Sequence, residues 1–213
     1  MENNQDNAYP VQFNVDYPEG PRNRLTALVR IILAIPILIV VALVSGYSSS
    51  GNLTVDQATS PLVVGGVVWS ATILMLLFRR KYPRWWFDWN LELQRFSARV
   101  GAYLGLLRDE YPSTDEEQSV HLDIPYPAAE KDLIKFLPLV KWLLAIPHYI
   151  VLIVLGLIAF IITIIAWLAI LILGRYPKGM FDFVVGVSRW GYRVAAYAFL
   201  LSTDRYPPFR LGE

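Results

Sequence analysis

The chain has 213 residues, 55% of them hydrophobic, a formal net charge of +1 and no cysteine. So balanced a charge gives no bulk field for nucleic acid, and the lack of thiols excludes disulfides, thiolate metal sites and cysteine nucleophiles. The mean hydropathy of +0.40 arises from long uncharged runs, which put the chain among polytopic membrane proteins.

Residues 1–8 are polar and read as disordered. The opening MENNQDNAYP has neither the basic nor the apolar region of a signal peptide, so the first apolar run is expected to target the chain. From Tyr9 to Pro18, apolar and polar residues alternate, which puts Val11, Phe13 and Val15 on one strand face. An apolar run follows from Leu25 to Ser45. Arg30 lies near enough to its start to snorkel, and Pro36 sits where a membrane helix tolerates a kink. Gly46 to Pro61 is a turn-rich loop. A second run, Leu62 to Phe78, ends on Arg79, Arg80 and Lys81. After a break at Tyr82-Pro83, a helical pattern covers Arg84 to Arg108, and an acidic linker covers Asp109 to Ser119.

The plan then restarts. VHLDIPYP resembles VQFNVDYP, LLAIPHYIV resembles ILAIPILIV, and RYPKGMFDF resembles KYPRWWFDW. The offsets are 109 at Val11/Val120, 111 at Pro36/Pro147, 94 at Tyr82/Tyr176 and 95 at Tyr111/Tyr206. This pattern reads as one unit duplicated in tandem: residues 9–112, a linker at 113–119, and residues 120–213. The run from Phe136 to Gly174 has Lys141 as its one charge and would be about 58 Å long as a single helix, against a hydrocarbon core of about 30 Å. A hairpin turning near Gly156 is therefore expected. The predicted fold is mainly α: two helical hairpins, four membrane helices in all, each hairpin with a strand before it and an amphipathic interfacial helix after it. All 19 Lys and Arg residues then fall on one side or at its boundary, which the positive-inside rule makes cytoplasmic along with both termini.

On the amphipathic helices, Arg95 and Arg99 in the first copy and Arg189 and Arg193 in the second occupy the polar face. With Trp85, Trp86 and Trp190 at headgroup depth, they are candidates for binding lipid phosphates or a protein partner. The competing reading is a helix docked on the hairpins, with its charges in local pairs such as Glu92 to Arg95. Asp88 and Asp182 follow the YP breaks and are read as helix-start residues favoured by the dipole. His148 is an intramembrane polar residue, hence a site candidate, whose ring N–H has a carbonyl freed by Pro147 within reach. His121 reads as an exposed strand residue. No metal, cofactor or enzymatic motif is recognised.

The segments RYPKGMFDFVVGVSRWGYRVAAYAFLLSTDRYPPF and, less closely, KYPRWWFDWNLELQRFSARVGAYLGLLRDEYP resemble a prokaryotic membrane family known as domain of unknown function 4389. The resemblance implies an apolar hairpin, an aromatic, arginine-bearing helix and a Pro-rich aromatic tail, present twice, and implies no activity. The expectation is a non-enzymatic protein of the prokaryotic inner membrane that scaffolds a membrane assembly, with lipids and a membrane protein or its own copies as partners. Membrane shaping or lipid organisation is the alternative, and a transporter component is a third reading.

Overall fold

The computed structural model describes residues 9–44, 61–129 and 133–212, with the backbone alone for residues 42–44 and 61–68. The readings of residues 1–8 as disordered and of Gly46–Ser60 as a loop fall outside the described residues. β1 (Gln12–Val15) leads into α1 (Arg24–Val44). Asn23 caps that helix: its Oδ1 accepts the N–H groups of Leu25 (3.0 Å) and Thr26 (3.3 Å), two donors that lack an intrahelical acceptor. Pro36 does not interrupt α1. α2 (Pro61–Arg79), with proline as its first residue, and α3 (Arg84–Leu104) follow.

After β2 (Val120–Asp123) and a 3-10 turn at Leu137–Leu139 come the single turn α4 (Lys141–Leu144), α5 (Ile146–Leu173) and α6 (Lys178–Ala195). A π-helical turn, Ala196–Leu200, ends the helical region. The expected hairpin at Gly156 is corrected here. α5 runs unbroken through Gly156, and nothing lies within 4 Å of where a Cβ would sit there. One interior glycine costs a helix about 1 kcal/mol relative to alanine, too little to turn an otherwise uninterrupted apolar run. The real break is at Ala145, just before Pro147, whose ring nitrogen has no proton to donate. α5 is about 42 Å long. Among the described residues, two helices, over Arg24–Val41 and Ile146–Leu173, are long and apolar enough to cross a membrane. With α5 a single helix, the second hairpin is absent and the expected four spans are not supported.

β1 and β2 pair antiparallel, with Phe13 opposite Leu122 and Asn14 opposite His121. Val11, Phe13 and Val15 turn one buried face into the main core, as the alternation predicts. That core also holds Phe87 and Leu91 of α3, Ala166 and Ile170 of α5, and Phe181 and Val185 of α6. A second cluster joins Ala34 and Ile37 of α1 to Phe96, Val100 and Tyr103 of α3. A third joins Ala145 to Trp190, Val194, Tyr197 and Ala198. The amphipathic helices thus pack on the long apolar helices along one side and on the strands along another.

Candidate functional site

The polar centre of the molecule is the layer where the ladder meets α3 and α6. Arg95 Nε donates to the Leu122 carbonyl at 2.9 Å, and its other nitrogens meet Glu92 Oε1 (2.7 Å) and Asp123 Oδ1 (3.2 Å). Arg189 Nε donates to the Phe13 carbonyl at 2.8 Å, with further bonds to Leu211 O and Asn14 Oδ1. Arg99 reaches the Ser113 carbonyl, and Arg193 reaches the Gly212 carbonyl. All four candidate arginines therefore have partners inside the chain, and Arg99 and Arg193 are buried. They fasten the helices to neighbouring backbone, where extended segments leave carbonyls that the ladder does not use.

The candidate aromatics divide. Trp85 is 69% exposed, Trp86 is half-buried with its indole N–H on Thr72 Oγ1 at 2.9 Å, and Trp190 is buried. Asp88 and Asp182 are corrected as helix-start residues. The helices begin at Arg84 and Lys178, so each aspartate is the fifth residue and exposed, beyond the first turn in which the dipole is strong. The helix starts use the carbonyls of Pro83 and Pro177 instead, each accepting from the residues three and four positions on.

Arg30 and Lys141 do not snorkel. Arg30 is 3% exposed, bonds through Nη1 to the carbonyls of Tyr103 (2.7 Å) and Arg108 (2.8 Å), and pairs through Nη2 with Asp109. Its guanidinium lies 4.5 Å from the Tyr103 ring centroid, a cation–π contact. Lys141 is fully buried, 2.6 Å from Asp204 Oδ1 and 2.7 Å from the Thr203 carbonyl, with its ammonium 5.3 Å from the Tyr197 ring centroid. Each tyrosine meets a second one edge-on: Tyr103 with Tyr111 at 5.7 Å, and Tyr197 with Tyr206 at 5.6 Å. Arg22 joins the first cluster, 3.2 Å from Asp109 Oδ1 and bonded to the carbonyls of Leu106 and Leu107. Burial lowers its pKa to about 10, against the opposing pull of Asp109. Sequence reasoning missed both aspartates. The available signal was the recurrence of DEYP and DRYP alongside one cation in each apolar run.

His148 is buried under Phe209, its ring 4.0 Å from that ring and stacked on it. Its Nδ1 accepts the indole N–H of Trp190 at 3.0 Å, rather than its ring donating to a carbonyl freed by Pro147. An indole N–H can only donate, so this bond puts the proton of neutral His148 on Nε2. His121 Nε2 lies 3.2 Å from Asp16 Oδ2 in a half-exposed position. Among the described residues, no group of three or more His, Asp or Glu side chains is placed to hold a metal ion. The site's chemistry is that of buried charge neutralisation and backbone fastening.

Residues 138–210 match the family model described as Domain of unknown function (DUF4389). The match supports the family resemblance over that stretch. It covers Lys141, His148, Arg189, Trp190, Arg193 and Asp204, so the second ion cluster and the stacked histidine both lie inside the matched segment. No curated protein matches the chain, and no solved structure does.

Proposed function

We propose that the chain is a multi-pass protein of the prokaryotic inner membrane, without enzymatic activity, that serves as a scaffold or accessory subunit of a membrane assembly. One observation carries this reading. Of the 28 residues of α5, four are buried by the chain itself: His148, Ala159, Ala166 and Ile170. Ile153, Leu157, Phe160 and Ile172 are among the large side chains left uncovered. An apolar surface of that extent needs lipid or another membrane protein against it. The β1–β2 ladder and the helices α3 and α6 beside it are tied together by many internal bonds, which suits a holder better than a moving part. The membrane-shaping alternative loses the support of a tightly turned second hairpin, since α5 is continuous, and rests on the amphipathic helices alone.

Tandem duplication is part of the same proposal, supported by matched contacts. Tyr17 donates to the Tyr176 carbonyl, and Tyr126, 109 positions after Tyr17, donates to the Tyr82 carbonyl. The Arg30–Asp109 and Lys141–Asp204 pairs correspond at the offsets read from sequence. Lipids, a membrane-protein partner or further copies are the proposed associates. Both termini are proposed cytoplasmic, with α1 and α2 crossing as a pair and α5 embedded without completing a crossing, since β1, β2 and α6 share one layer.

Purification of the native protein in mild detergent tests the scaffold reading. A defined complex with other membrane proteins, or a self-assembled species, is expected; the bare protomer mass would overturn it. An impermeant thiol reagent tests the topology, with a cysteine at Ser49 labelled from outside and one at Ser113 protected in intact cells. The reverse pattern would remove the proposed orientation.

A further inference from the structure

A cleft of about 650 Å³ opens where the end of α2, the start of α3 and the segment after β2 meet. Arg79, Arg80, Lys81 and Arg84 line it together with Trp85 and Tyr126, and among the described residues its lining contains no carboxylate. Among the described residues, none of the four cations is in an ion pair. Arg84 has a neutral partner, the ring of Tyr126, whose centroid is 5.3 Å from the guanidinium. The Tyr126 hydroxyl in turn donates to the Tyr82 carbonyl, which fixes that wall. Four like charges around one concavity repel each other, and a multiply charged anion removes that repulsion while satisfying several N–H donors at once.

The corresponding place after α5 is built differently. At the 94-residue offset, Arg80 corresponds to Gly174, Lys81 to Arg175, Arg84 to Lys178 and Trp85 to Gly179. Gly174 ends α5 at φ 71°, the left-handed conformation that glycine adopts freely, and Arg80 takes nearly the same conformation at φ 49°. The arginine thus stands where a glycine would fit the backbone better. We infer that this cleft binds a phosphate-bearing anion, with Arg79, Arg80, Lys81 and Arg84 as its ligands and Trp85 and Tyr126 as its apolar walls. An anionic phospholipid headgroup and a soluble polyphosphate share the required chemistry. Binding itself does not depend on the proposed membrane function; the lipid source does.

The test uses the full chain in neutral detergent micelles. Tryptophan quenching by brominated phosphatidylglycerol is compared with quenching by brominated phosphatidylcholine, and pyrophosphate is titrated calorimetrically in parallel. The double variant Arg80→Gly/Arg84→Gln relieves backbone strain and alters exposed residues, so it folds; Arg175→Gln/Lys178→Gln is the control. The cleft variant is expected to lose roughly tenfold in affinity, with the control unchanged. A preference for phosphatidylglycerol assigns the lipid source, and tight pyrophosphate binding without that preference assigns the soluble one. The proposal is overturned by the absence of both, or by binding that the cleft variant leaves intact or that the control weakens equally. A chain that remains in solution without detergent would defeat the membrane reading, while the pyrophosphate titration would still report on the cleft.

Discussion

Lys141 and Asp204 form a buried ion pair with 2.6 Å between Nζ and Oδ1, the ammonium fully enclosed and the carboxylate nearly so. The pair joins the turn before α5 to the segment after α6, so it holds both ends of the family-matched stretch together. Removing one partner strands a charge, and a broken buried pair costs about 3–5 kcal/mol. Asp204→Asn is expected to fall in that range, because the ammonium is left with uncharged partners, among them the Thr203 carbonyl and the Tyr197 ring. Lys141→Met is expected to cost less, since Asp204 retains the Ile134 N–H and some contact with solvent. Thermal melting in detergent should order the variants wild type, Lys141→Met, Asp204→Asn. An Asp204→Asn protein as stable as wild type would refute the pairing.

The ladder register is open to a cross-linking test against a cysteine-free background. Asn14 faces His121, and Asp123 faces Gln12. Residues opposed in an antiparallel pair have Cα atoms about 4.5–5.5 Å apart, within the range of a disulfide. Cysteines at Asn14 and His121 are therefore expected to oxidise readily. The pair at Asn14 and Asp123, two positions out of register, is expected to do so poorly. Equal yields would mean that the strands slide.

Glu110 supplies an acid-sensitive contact at the entry to β2. Burial raises its pKa, but hydrogen bonds from Ser119 and Arg108 outweigh that and bring it below the ordinary value of 4.5. Its carboxylate accepts from Arg108 Nη2 at 2.5 Å and Ser119 Oγ at 2.6 Å. A carboxyl whose folded pKa is depressed stabilises the fold above its unfolded pKa and loses that contribution as pH falls through the folded one. Wild type is thus expected to melt above Glu110→Gln near neutrality, with the gap closing below about pH 4.5. A gap that is unchanged or widens in acid would contradict the contact.

Gly156→Ala separates a continuous α5 from a hairpin. In an open helical position the added methyl gains about 1 kcal/mol, whereas at a turn requiring positive φ it would destabilise. Raised thermal stability with unchanged helicity is the expected result.

How far the fold was legible depended on the range of the interaction. The strand at Val11, Phe13 and Val15 follows from alternation, and its pairing with VHLD follows because neither segment could leave its backbone groups unpaired. The register centre at Phe13 and Leu122 needed the three-dimensional ladder. Gly156 was misread because length was weighed against bilayer thickness, although the flanking leucines carry no turn chemistry, unlike the GYSSSGN stretch of the first run. Arg30 and Lys141 passed for snorkelling residues because their carboxylates lie more than sixty positions away, beyond any local spacing. A helical wheel likewise puts Arg95 and Arg189 on a polar face but does not reveal that strand carbonyls meet that face.

The ladder also bears on how the chain acquires its shape during synthesis. β1 leaves the ribosome early, yet its partner follows some hundred residues later, and the Arg189 side chain that grips Phe13 comes later still. At about 5–20 residues per second, translation alone keeps that first strand waiting for several seconds. α1 and α2 emerge in the interval, so helix formation there runs ahead of ladder closure. The N-terminal strand is in this sense a clasp, fastened last although made first.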